Sequence, residues 1–192
     1  MAFYLKPIDE HLKIKTDKNA FMHLLHVVSR TRYLKAFAAT TLLATGGYML
    51  MPFGSDYAVH NLGLDEKNEL PLLYLYTGVA TIFVMPLAGF LSDKVGKYKV
   101  FFVGSVLSIG MLLIYCNLDV TPFVWIVVLN IVLFIGIMSR IAPAQALMSA
   151  IPEPQDRGAF MSVNSSIQQL SGGISSIIAG LIVIKMPNKI RE

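Results

Sequence analysis

AGFLSDKVGKYKV, residues 88–100, sets one aspartate, three lysines and two glycines between two long apolar stretches. Before it lies LPLLYLYTGVATIFVMPLAGFL (70–91) and after it YKVFFVGSVLSIGMLLIYC (98–116). Each stretch has about the 20 residues that a helix needs to cross a bilayer. Neither shows the recurrent polar face that a helix needs against a soluble core. The charged stretch therefore reads as a tight turn at a membrane surface. Gly96 suits a backbone conformation that other residues resist, and Gly89 suits close approach of a second helix. Asp93 suits the free amides at a helix start, where the dipole favours an anion. Lys94, Lys97 and Lys99 suit cytoplasm and lipid phosphates.

The rest of the chain agrees with this solvent. Of 192 residues, 55% are apolar and 15% are charged. Further apolar runs cover 36–55, 120–149 and 158–184. The fourth is long enough to tilt or break near Arg140 and Pro143, and the fifth is polar for a span in NSSIQQLSGGISS. The fold class expected is all-α: a multi-pass transmembrane helix bundle of about five spans over 36–184. Residues 1–35 mix charge with apolar residues at helical spacing, and read as a cytoplasmic linker with an interfacial amphipathic helix. Residues 185–192 form a basic tail with Lys185, Lys189 and Arg191. An odd span count ending in such a tail looks like a chain cut short.

The cations set the expected orientation. Lys6, Lys13, Lys15, Lys18, Arg30, Arg32 and Lys35 precede the first span, the three lysines of the turn follow the second, and Arg157 precedes the fifth. On the other side the loops carry Lys67 alone. The positive-inside bias places the amino terminus in the cytoplasm. The net charge of +4 is thus a topology signal. It gives no reason to invoke nucleic acid, because the basic residues are divided among loops and do not form one face.

Catalytic chemistry is not indicated. Cys116 is the single cysteine, so it builds neither an intramolecular disulfide nor a metal cluster. No His, Asp and Glu group has metal spacing, no cofactor motif is present, and GFLSDKVG joins two spans where a phosphate loop would follow a strand. His23 and His26 read as surface or interfacial. Gly46, Gly47, Pro52 and Pro86 mark expected bends. Arg140 is the one charge deep in a span, where snorkelling or structural pairing competes with solute contact. Asn130 in the fourth span, and Asn164 and Gln168 on one face of the fifth, are candidates for lining a cavity or for bonding between helices.

Gly89, Leu91, Asp93, Lys94, Gly96, Lys97 and Lys99 together resemble the cytoplasmic signature between the second and third helices of a half in the major facilitator superfamily. Lysine stands for arginine at two places, Ser92 for a small apolar residue, and Tyr98 where a second basic residue is common. IPEPQDRGAFMSVNSSIQQLSGGISSIIAGLIV is similar to the family's entry into the fifth helix, with Arg157 and Gly158 as its Arg-Gly pair. The resemblance implies a half of a secondary transporter working by alternating access, and the charged segment before the first span favours the carboxy-terminal half. It further implies a latch role for Asp93, with Arg140 or Arg157 as partner, and transport of small organic solutes. A proton-coupled exporter in a bacterial inner membrane is the resulting expectation. The alternatives are a non-transporting membrane scaffold or inactive fragment, and a half-transporter that works by self-association. The partners implied are the lipid bilayer, a small-molecule substrate, and a missing half or a second copy.

Overall fold

The computed structural model describes residues 20–183, with side chains from Met22 onward. The solvated linker expected before residue 20 and the basic tail at 185–192 lie outside the described residues. Among the described residues seven α-helices run in order: α1 (Ala20–Ser29), α2 (Thr31–Leu50), α3 (Gly54–His60), α4 (Glu69–Val95), α5 (Lys97–Cys116), α6 (Phe123–Ala150) and α7 (Arg157–Ile182). Four helical stretches are long and apolar enough to cross a membrane: Thr31–His60, Glu69–Val95, Lys97–Cys116 and Phe123–Ala150. α7 has 26 residues, enough for a span at about 1.5 Å per residue, but it is amphipathic where the others are apolar all round.

The breaks follow local chemistry. Arg30 adopts an extended backbone (φ −74°, ψ 119°) and separates α1 from α2. Pro52 lies in a short 3-10 turn, Met51–Phe53, between α2 and α3, whereas the chain stays helical through Gly46 and Gly47. α4 and α6 also stay helical through Pro86 and Pro143. Between α4 and α5 the whole reversal rests on Gly96, at φ +110° and ψ 134°. Its amide bonds back to Ser92 O at 3.1 Å and its carbonyl accepts from Val100 N at 3.2 Å. A side chain would be strained in that conformation.

Two packed groups result. α7 lies against α2, while α6 packs on both α4 and α5. Lipid tails are as apolar as leucine, so helices here associate through close van der Waals packing and interhelical hydrogen bonds. The closest packing is between α5 and α6. A Cβ on Gly104 would lie 2.8 Å from Ser139 Cβ, and one on Gly136 would lie 2.8 Å from Ser108 N. Between α2 and α7 the ring of Tyr48 lies on Gly172, where a Cβ would meet it at 2.9 Å. Gly89, expected to admit a neighbouring helix, faces open space instead. Its neighbours Ala88 and Ser92 are buried, so Gly89 itself points away from the packed side of α4, and the closest approach is made between α5 and α6.

α2 and α7 are also tied by hydrogen bonds. Thr40 Oγ1 donates to Asn164 Oδ1 (2.7 Å), Tyr48 Oη to Gln169 Oε1 (3.3 Å) and Ser176 Oγ to Tyr48 O (3.2 Å). The polar residues of α7 are thus in part glue for α2. One apolar cluster closes each end of the bundle: Val27, Tyr33, Ala36, Phe37 and Phe160 at one, and Ala58, Leu62, Leu64, Leu73 and Ile126 at the other. Outward-facing residues such as Phe83 (71% exposed) and Leu181 (80%) remain uncovered, as a lipid-facing surface requires.

Candidate functional site

A cleft of about 860 Å³ opens between α4, α6 and the start of α7. α4 contributes Thr81, Ile82, Met85 and Pro86, and α6 contributes Met138, Ala142, Gln145, Ala146 and Ser149. Both sets follow the three- and four-residue spacing of one helix face. Met161 of α7 completes the wall. The lining among the described residues has no ionisable side chain. The cleft is open on one side, and its wall is mostly apolar with a few polar groups.

The polar groups of this wall are mostly acceptors. Thr81 Oγ1 donates to Gly78 O (2.7 Å) and Ser149 Oγ to Ala146 O (3.0 Å), so both hydroxyl protons are engaged. Pro86 has no amide hydrogen, so the Ile82 carbonyl one turn earlier lacks its usual i→i−4 donor. Gln145 alone brings free side-chain N–H donors.

Arg140 belongs to a different place. Each residue turns a helix by about 100°, so Arg140 points nearly opposite to Met138 and Ala142. It borders a second, smaller cleft of about 280 Å³ with Ala39, Leu42, Leu43 and Phe101. Its Nη1 reaches Ser108 Oγ at 3.4 Å, and its Nε is buried without a hydrogen-bond partner. Arg157 donates to Ser149 O at 3.2 Å, closing the end of α6.

Asp93 is exposed in the last turn of α4. It does not cap α5, whose start carries no side-chain cap bond. The single-residue turn leaves no room for it to fold back, and Gly96 N is already committed to Ser92 O. Among the described residues the ion pairs involve neither Asp93 nor Arg140 nor Arg157. Gly89, Leu91, Lys94, Lys97 and Lys99 surround the turn, with Leu91, Lys94 and Lys99 exposed. Of the polar candidates, Asn130 is 6% exposed within α6, Asn164 is bonded to Thr40 and Gln168 is exposed. None of the three lines the larger cleft.

A charged cluster not evident from the sequence joins α1 to the turn between α6 and α7. Asp156, 3% exposed, accepts from Tyr33 Oη (2.9 Å) and pairs with His23 Nε2 (2.8 Å). Arg30 Nη1 lies 2.6 Å from Glu153 Oε1 and 3.4 Å from Asp156 Oδ2. Tyr33 packs edge-on to Phe160, which stacks on Phe37. Burial pushes the Asp156 carboxyl up, but the bonds from His23 and Tyr33 and the Arg30 charge hold it below its ordinary value. The Arg30 bond likewise lowers Glu153, and Glu153 raises Arg30. His23, read from the sequence as surface or interfacial, is tied into this cluster.

With the bundle, its signature turn and its uncharged cleft in place, the comparisons agree. The sequence matches the Major Facilitator Superfamily over residues 19–186. This chain belongs to that family of membrane transporters. It is similar to the proline/betaine transporter of Escherichia coli (strain K12), at 32% identity over 104 residues. The same-named protein of Salmonella typhimurium is 29% identical over 104 residues. The matched stretch is 50% of this chain and 21% of each relative, so the relatives are much longer proteins. No solved structure gives a significant match.

Proposed function

We propose that the chain forms part of a secondary transporter that moves small zwitterionic organic solutes across a bacterial membrane by alternating access. The observation that carries this reading is the family match across 19–186, nearly all of the described bundle. The relatives named for proline and betaine support the solute class. The open, uncharged cleft between α4, α6 and α7 supports a solute wall completed by further protein. The end bearing Arg30, Lys94, Lys97 and Lys99 is then the cytoplasmic one by the positive-inside rule. Proton coupling requires a carboxylate from outside the cleft, because none lines it.

The test is uptake of labelled proline and glycine betaine into liposomes holding the full chain, against empty liposomes. Accumulation that an unlabelled excess abolishes supports the reading. Uptake no faster than in empty liposomes removes transport by this chain alone and favours a scaffold.

A further inference from the structure

The chemistry of the larger cleft goes further than solute class, and its interpretation rests on the proposal that the solute is a zwitterion. A zwitterion presents two poles with opposite demands. A carboxylate needs donors, preferably cationic ones. The cleft has no cation, and its Thr81 and Ser149 hydroxyl protons are already given to Gly78 O and Ala146 O. Gln145 alone supplies free side-chain donors. A methylated ammonium has the reverse needs. Its charge is spread over its methyl groups, which are satisfied by oxygen lone pairs and polarisable surface.

Those are the groups this wall supplies. Three helices each contribute a methionine to the lining, Met85 of α4, Met138 of α6 and Met161 of α7. Ile82 lines the cleft one turn before Pro86, which has no N–H to donate to the Ile82 carbonyl. The hydroxyls of Thr81 and Ser149 have only lone pairs left to offer.

We propose that this cleft receives the methylated ammonium pole of the solute, with Met85, Met138, Met161 and the Ile82 carbonyl as its recognition groups, and that the carboxylate is held elsewhere. Selection here is by polarisable and dipolar contact, since no counter-charge is present.

Thiol protection tests the assignment on the full chain in liposomes. Cys116→Ser removes the native thiol, and Ala142→Cys places one on the cleft wall. Three probes are compared: glycine betaine, choline, which keeps the ammonium without the carboxylate, and 3,3-dimethylbutanoate, which keeps the carboxylate and the shape without the ammonium. The expected result is that betaine and choline slow labelling at least tenfold while 3,3-dimethylbutanoate does not. Met138→Leu, which keeps the volume and removes the sulfur, should reduce the protection severalfold. Equal protection by 3,3-dimethylbutanoate overturns the assignment, as does no protection by either ammonium compound. Ala146→Cys provides a second reporter if the first variant fails to fold. Protection without uptake leaves the ammonium subsite standing and removes the transport reading. Uptake without protection removes the subsite alone.

Discussion

The Tyr33 hydroxyl donates to the Asp156 carboxylate across 2.9 Å, although 123 residues separate them in the chain. His23 meets the other carboxylate oxygen, so α1, α2 and the turn before α7 are joined at one buried anion. Removing the carboxylate leaves the buried Tyr33 O–H without its acceptor, although the oxygen still accepts from Glu153 N, and an unmet buried donor costs about 1–3 kcal/mol. Asp156→Ala should therefore lower stability by about that amount, while Tyr33→Phe, which leaves the carboxylate His23, should cost about 1 kcal/mol. Thermal unfolding of both variants in detergent, with helix content as the signal, checks the order.

The same cluster fixes a pH response. The Asp156 carboxyl is held below its ordinary value, near about 3.9, so the unfolded state binds a proton more readily. The stabilisation is then complete above that ordinary value and is lost as pH falls through the lower folded value. The attachment of α1 should thus persist at neutral pH and open in acid, as pH falls through that lowered value. Glu153 shifts in the same direction, but being exposed it adds little. A spin label at exposed Met22, in a Cys116→Ser background, should gain mobility over that acid range. In Asp156→Asn the label should be mobile already at neutral pH.

The helical architecture was legible because its determinants are local. Unbroken apolar runs give spans, Gly96 gives a reversal that only glycine makes comfortably, and Pro122 begins α6. The site was less legible because its determinants lie on different helices. Asp156, Tyr33 and His23 look like unrelated surface residues until α1 meets the α6–α7 turn. Asn164 and Gln169 were visible as polar residues in a span, but whether they face a cavity or a neighbour depends on where α2 lies. The cleft wall of Met85, Met138 and Gln145 had no sequence signal beyond its helical spacing, which any core residue shares. Glycines show the same limit, since Gly89 and Gly136 are alike in sequence and opposite in surroundings.

That contrast can be measured. A Cβ on Gly136 meets backbone of α5 at 2.8 Å, and one on Gly104 meets α6 at 2.8 Å. Backbone cannot move aside as a flexible side chain can, so Gly136→Ala should cost about 1–3 kcal/mol through overpacking. Gly89→Ala meets nothing within 4 Å and should be neutral or slightly stabilising, since alanine favours helix by about 1 kcal/mol. Unfolding midpoints of the two variants side by side would decide it. Equal losses would mean that α5 and α6 are not packed as described.

Asp93 offers a separation of function from stability. Its carboxylate is exposed and has no ion pair among the described residues, so the fold gains little from its charge. The signature nonetheless places an anion three residues before the positive-φ Gly96. If Asp93 latches the cytoplasmic side in the assembled transporter, its partner lies outside this bundle, because Arg140 is directed at Ser108 and Arg157 at Ser149 O. Asp93→Asn should then leave the unfolding midpoint unchanged and reduce solute uptake at least severalfold. Gly96→Ala should do the reverse in part, lowering stability by about 1–3 kcal/mol because no other residue adopts φ +110° without strain. Uptake by the assembled transporter in liposomes and thermal unfolding of the same preparations provide both readings. An Asp93→Asn protein with normal uptake and normal cytoplasmic accessibility to a thiol reagent would remove the latch role and leave the three lysines as topology signals only.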